Sequence, residues 1–192
     1  MSNNKKEEII KAATRLFCEK GFSSTSVQDI VNEVNISKGT LYYYFTSKQQ
    51  ILFEVISRGM QLMLPFVKEI YNSPLSPKDK LRKIIRTHIK WLLENIDMIS
   101  VGLHDRDRLI PEYRKKYMKQ RDEYQKIIER IIKEGIKQKQ FPALNVKLIT
   151  YAIFDICNGP SRWYKPQGPL TPEQLGEEYA NLICDYMLDQ SK

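Results

Sequence analysis

Thr25–Lys48, TSVQDIVNEVNISKGTLYYYFTSK, decides the fold of this 192-residue chain. Val27, Ile30, Val31 and Val34 recur at i, i+3, i+4 and i+7, which is one apolar face of a short helix. Thr25 or Ser26 can cap it, because a hydroxyl ahead of the first turn accepts a bond from an unpaired backbone N–H. Asn35 interrupts this helix, Ile36 can plug the corner behind it, and Ser37 is a second cap. In the following KGTLYYYF, Leu41 and Phe45 stand i, i+4 and face inward. Lys38, Thr40, Tyr42, Tyr43 and Tyr44 are left facing outward or sideways. Folding alone accounts poorly for a lysine, a threonine and three tyrosines on the outside of so short a helix. A groove lined with phosphates accounts for them well. Two short helices about a tight corner make a helix-turn-helix pattern.

Helical patterns extend outward from this stretch in both directions. Before it, Glu7 to Lys20 carries an apolar stripe of Ile9, Ile10, Ala13, Leu16 and Phe17, stopped by Gly21, with Phe22 expected to fold back on the stripe. Lys5, Lys6 and Lys11 lie where they can reach phosphate or stay solvated. After it, Ser47 caps a longer helix through Ile51, Leu52, Val55, Ile56, Met60, Met63 and Leu64, where Pro65 is compatible with a kink. Ser76 and Pro77 start the next helix, periodic from Leu81 to Leu93. A shorter mixed segment, Asp97 to Asp107, precedes a long helix from Pro111 or Glu112 to Gln140. Asn145 caps a helix so apolar from Val146 to Cys157 that burial on more than one side is expected. Thr171 and Pro172, with Glu173-Gln174 in the first turn, open the last helix, Leu175 to Met187. The chain therefore reads as all-α, about nine helices. An N-terminal helix-turn-helix domain spans residues 1–46, and a helical bundle for effector binding and dimerisation spans 47–192.

Composition narrows the function classes. A net charge of +8 and a pI near 9.3 favour an acidic partner, nucleic acid first among them, although a solvated lysine-rich surface gives the same balance. Cys18, Cys157 and Cys184 are odd in number and widely spaced, so they form neither a disulfide framework nor a metal pair. Each reads as a small hydrophobe in a reducing cytoplasm. The polar start MSNNKKEE is not a signal peptide. The uncharged run Gly59 to Val67 is far short of the roughly 20 apolar residues of a membrane span. No GxSxG, HExxH or P-loop is present, so no catalytic residues are assigned and no cofactor is expected. His and Cys do not cluster, which argues against a metal site.

The quoted stretch, with the preceding IIKAATRLFCEKGF and the following SKQQIL, resembles the TetR family of bacterial transcriptional regulators. The chain departs from the family pattern at Val31, at Val34-Asn35 and at Tyr44, where Ala, Ala-Gly and His are usual. The resemblance implies DNA contacts at Thr25, Ser26, Ser37, Lys38, Gly39, Thr40, Tyr42, Tyr43, Tyr44 and Lys48. Chemistry agrees: helix starts bind phosphate, tyrosines reach phosphates or thymine methyls, and Lys38 reaches a phosphate or a guanine edge. The resemblance also implies a homodimer that sets two recognition helices about one DNA turn apart on a palindromic operator. Val146–Cys157 and Leu175–Met187 are the candidate dimer helices, the competing reading being that both are simply core.

The effector is less defined. Candidate polar groups are His88, His104, Arg106, Arg108, Asn158, Arg162, Trp163 and Tyr164. The string HDRDR can bind an anionic group, or it can be a surface salt-bridge network. His88 lies on an apolar stripe, a common place for a core histidine. Asn158, Trp163, Tyr164, Pro166, Gly168, Leu170 and Glu173 resemble one branch of the family whose members tend to respond to acyl-CoA thioesters. The leading expectation is a ligand-responsive repressor, with an acyl-CoA as one effector class and hydrophobic drug-like compounds as the other. An effector-independent DNA-binding protein and a helical enzyme are remote alternatives.

Overall fold

Caps and apolar stripes of the kind read from the sequence produce the helices of the computed structural model, which describes residues 2–188. Among these residues there are nine α-helices and no strand. They are α1 (Ser2–Lys20), α2 (Val27–Val34), α3 (Lys38–Tyr44), α4 (Lys48–Asn72), α5 (Pro77–Glu94), α6 (Ile96–Asp105), α7 (Pro111–Lys137), α8 (Val146–Asn158) and α9 (Pro172–Asn181). Short 3-10 turns follow α6 and α8, and Leu182–Met187 continues α9 with π-type turns.

The residues divide into two compact units. The first takes the chain up to Gly59 together with Ile96–Lys119, so it is larger than residues 1–46. One apolar cluster explains why. Ile9, Ile10, Ala13, Leu16 and Phe17 of α1 pack with Ile30, Val31, Leu41 and Phe45 of the motif, and the same cluster takes in Ile51, Leu52, Val55 and Ile56 of α4, Val101 of α6 and Leu109. A boundary at residue 46 would cut through this core. Gly21 ends α1 at φ +79, the left-handed conformation that glycine adopts without strain. Phe22 folds back so that its ring meets Phe17 edge-on at 5.3 Å.

The second unit comprises Met60–Asn95 and the chain from Gln120 on. α5 packs against both α8 and α9 within it. Ile84, Ile85 and Ile89 of α5 and Ile128, Ile131 and Ile132 of α7 are buried. Gly135 and Phe141 close the end of α7, with Phe141 fully buried. The helix stops at Lys137 rather than Gln140, because Lys139 turns to φ 56 and Gln140 donates to the Gly135 carbonyl at 2.8 Å.

Three further expectations are corrected. α1 begins at Ser2, five residues before the expected Glu7. α8 is not buried on more than one side within the chain: Thr150, Ile153 and Cys157 face inward, while Leu148 and Tyr151 are exposed. Cys157 and Cys184 are buried, but Cys18 is exposed, because it falls one position past the stripe that ends at Phe17. No described helix is long and apolar enough to cross a membrane.

Candidate nucleic-acid interface and ligand crevice

α2 is capped at both ends by its own sequence. Ser26 accepts the Asp29 backbone N–H at 3.1 Å, and the Asp29 carboxylate accepts the Ser26 N–H at 2.7 Å, which completes a capping box. These bonds hold the Asp29 carboxyl below its usual range. Asn35 ends the helix in the left-handed conformation at φ 54, and Ile36 is partly buried against the core behind the corner. Ser37 caps α3 by accepting the Thr40 N–H at 3.0 Å.

α3 then divides its residues by spacing. Leu41 and Phe45 are buried. Lys38 and Gly39 are exposed, as are Tyr42 at 49% and Tyr43 at 78%. Large aromatic side chains so exposed are what a docking surface presents. Thr40 is half-buried, with its hydroxyl 2.9 Å from that of Ser37. Tyr44 lies half-buried against the core, its ring edge-on to Tyr43 at 5.0 Å. A side chain at Gly39 would find no atom nearer than 3.6 Å, so the glycine leaves open space on the outer face rather than relieving a clash inside.

Thr25 and Lys48 are placed differently from the other expected DNA residues. Thr25 is buried, and its hydroxyl donates to the Leu16 and Gly21 carbonyls at 3.2 and 2.9 Å. Lys48 donates to the Phe22 and Thr25 carbonyls at 2.8 and 2.6 Å and sits 4.2 Å from the Phe22 ring centroid. This enclosure lowers the Lys48 pKa by desolvation. Both residues bind the loop between α1 and α2 to the rest of the unit. Of the N-terminal lysines, Lys5 pairs with Glu8 and Lys6 with Glu54, while Lys11 is exposed.

The expected effector residues separate into groups. His104, Arg106 and Arg108 belong to the first unit and are surface or half-exposed. His104 bonds to the Ser100 carbonyl at 2.8 Å, Arg106 pairs with Asp107, Arg108 pairs with Asp105 at 2.8 Å, and Arg114 pairs with Asp107 at 3.1 Å. The alternating charges are thus neutralised by one another. In the second unit, His88 and Asn158 come together with Tyr124, whose part the sequence did not disclose. Tyr124 reads in sequence as one more apolar position of α7. His88 Nδ1 lies 3.0 Å from the Tyr124 hydroxyl and Nε2 lies 3.2 Å from Asn158 Oδ1. With the Asn158 oxygen facing it, Nε2 carries the proton and Nδ1 accepts from the phenol. Desolvation lowers the His88 pKa and raises that of Tyr124, so both are neutral.

This pair borders a crevice lined by Leu81, Ile84, Ile85, Ile128, Ile153, Phe154 and Cys157. No charged side chain lines it. Its volume is about 220 Å³ even counting space open to solvent, below the roughly 300 Å³ at which small-molecule pockets begin. Arg162 and Trp163 are exposed and Tyr164 is half-buried, and none of the three lines the crevice. Among the described residues no group of three His, Cys, Asp or Glu side chains is placed to hold a metal.

A capped helix, a left-handed corner and a short second helix with an exposed polar and aromatic face define a helix-turn-helix nucleic-acid-binding protein. Comparison with known proteins agrees. The family described as bacterial regulatory proteins, tetR family, matches residues 9–55, and the tetracyclin repressor-like C-terminal domain matches residues 74–187. The chain belongs to the TetR family of transcriptional regulators, and as such is a ligand-responsive, DNA-binding regulator. It is similar to the transcriptional repressor KstR2 of Mycobacterium tuberculosis, with 27% identity over 183 residues, 94% of this chain and 92% of that one. The solved structure of PfmR, a TetR family regulator from Thermus thermophilus, is 30% identical with a TM-score of 0.84, covering 92% of this chain and 97% of that one. AibR, solved in complex with isovaleryl coenzyme A and operator DNA, shares the fold at a TM-score of 0.83 and 23% identity, covering 94% and 98%.

Proposed function

We propose that this protein is a homodimeric repressor that leaves a palindromic operator when an effector with an apolar end, an acyl-CoA in the leading case, binds its second unit. One observation carries the DNA half: Leu41 and Phe45 anchor α3 while Lys38, Gly39, Tyr42 and Tyr43 stand outside. Ser26, Ser37, Lys38, Gly39, Thr40, Tyr42 and Tyr43 meet the DNA. Tyr44, Thr25 and Lys48 support them from behind, Thr25 through backbone carbonyls of α1 and of the α1–α2 loop and Lys48 through carbonyls of that loop. α3 reads base edges from the major groove, and the N-terminal end of α2 meets the backbone.

The homodimer rests on exposed apolar side chains in α8 and after α9. Leu148, Tyr151, Leu182, Tyr186 and Met187 are all exposed, at 69% for Leu148 and 63% for Tyr186. Two copies of these helices form a four-helix contact.

The crevice beside His88 and Tyr124 favours an uncharged, apolar part of a ligand, since a carboxylate there would find no cation. That fits the acyl end of a thioester whose charged part stays outside, and it fits a neutral hydrophobic compound. The likeness of AibR, whose structure contains isovaleryl coenzyme A, favours the first. Titration of acyl-CoAs of graded chain length into a preformed operator complex tests the reading, with free CoA, fatty acids and neutral hydrophobic compounds as controls. Release by acyl-CoAs alone is the expected result. Release by the neutral compounds alone would replace the CoA assignment.

A further inference from the structure

The string HDRDR has one buried member, and it points away from any ligand site. Asp105 is 5% exposed, a rare state for a carboxylate, and an expensive one unless its oxygens are bonded. Its Oδ2 accepts the Phe22 backbone N–H at 3.2 Å, and its Oδ1 takes Arg108 Nε at 2.8 Å. Arg108 Nη1 reaches on to the Ser23 hydroxyl at 2.8 Å. Gln49 of α4 fastens the same corner: its amide donates to the Arg108 carbonyl at 3.0 Å and accepts the Ile110 N–H at 3.3 Å. Leu109 is buried in the core that holds the motif helices. Residues 105–110 thus grip residues 22–23 across some 83 positions of sequence. The gripped loop leads directly into the Ser26 cap of α2, and Lys48 ties down its carbonyls.

We propose that Asp105 and Arg108 are positioning residues for DNA binding. They hold the α1–α2 loop, and through it the N-terminal end of α2, in the pose that meets the phosphate backbone, without touching DNA themselves. Phosphate contacts fix a protein's register on the duplex, so a displaced α2 start weakens the whole complex. The proposal rests on the regulator reading given above.

Operator binding of wild type, Arg108→Ala, Asp105→Ala and Asp105→Asn, measured across a range of salt, tests it. Arg108→Ala is expected to weaken binding about tenfold, a difference of about 1.4 kcal/mol. Asp105→Ala weakens it further, and Asp105→Asn, which keeps an acceptor for the Phe22 N–H but gives up the Arg108 ion pair, returns binding to about the Arg108→Ala level. Circular dichroism at the assay temperature confirms that each variant is folded. The slope of log K against log salt stays at the wild-type value, because no phosphate neutraliser has been removed. Wild-type affinity in Arg108→Ala overturns the proposal. So does a slope reduced by about one in that variant, which would make Arg108 a phosphate contact. If Asp105→Ala does not fold, Arg108→Ala decides. Absence of specific binding by the wild-type protein is a separate result that removes the regulator reading, and the proposal with it.

Discussion

Tyr42 and Leu41 are neighbours in sequence with opposite duties. Leu41 is fully buried and Tyr42 is half exposed, because successive residues of a helix point about 100° apart. That division was legible in the i, i+4 spacing of Leu41 and Phe45. Tyr42→Ala should therefore reduce operator affinity at least tenfold while leaving thermal stability unchanged, read by gel shift and melting. Wild-type affinity would remove α3 from the interface. Thr25 and Lys48 were not legible in the same way. Their partners are backbone carbonyls at Leu16, Gly21 and Phe22, and no side-chain pattern marks a carbonyl. His88 gives a pH prediction. Its folded pKa is lowered from 6.5, so the unfolded chain takes up a proton that the folded chain refuses. Stability from this group is complete above pH 6.5 and is lost as pH falls below it toward the folded pKa. The wild-type Tm should fall more steeply between pH 7.5 and 5.5 than that of His88→Gln, and parallel curves would contradict the assignment.

At the scale of elements, α5 and α9 show how a register is set. Lys78, Arg82, Arg86 and Lys90 recur every fourth residue along α5, as do Glu173, Glu177, Asn181 and Asp185 along the last helix. They meet in antiparallel order: Lys90 with Glu173 at 2.8 Å, Arg86 with Glu177 at 2.9 Å, Arg82 with Asn181 at 2.5 Å and Asp185 at 2.6 Å, and Lys78 with Asp185 at 2.9 Å. Arg82 and Lys78 hold the Asp185 carboxyl below its usual range. Such exposed pairs each contribute little stability, about 0–1 kcal/mol, so their effect is on alignment. Beneath them Gly176 lets the helices approach, since a Cβ there would stand 2.9 Å from the Arg86 carbonyl oxygen. Gly176→Ala should destabilise the protein by about 1–3 kcal/mol in urea denaturation, because backbone cannot give way as a side-chain tip can. An unchanged midpoint would show that the two helices separate freely. The two charge rows were present in the sequence, but nothing local said that they face each other. Caps were more readable, because Ser26, Ser37, Ser76, Asn145 and Thr171 act within four residues of themselves.

At the scale of the molecule, the all-helical class followed from periodicity alone, whereas the extent of the first unit did not. Val101 and Leu109 join the motif core from a region that carries no helix-turn-helix signal. The apolar surplus of α8, expected as buried, appears as exposed Leu148 and Tyr151, the surface on which the proposed homodimer rests. Leu148→Glu should convert the protein to a monomer in sedimentation analysis and weaken operator binding, because one recognition helix then acts without its partner. A dimer that persists in Leu148→Glu would place the contact elsewhere. The most direct test of the whole account is a footprint of the protein on DNA from upstream of its own gene. Two protected half-sites related by a two-fold axis are expected, with centres about one helical turn apart, lost together in Tyr42→Ala. Uniform protection without sequence preference, or a footprint unchanged in Tyr42→Ala, would contradict it.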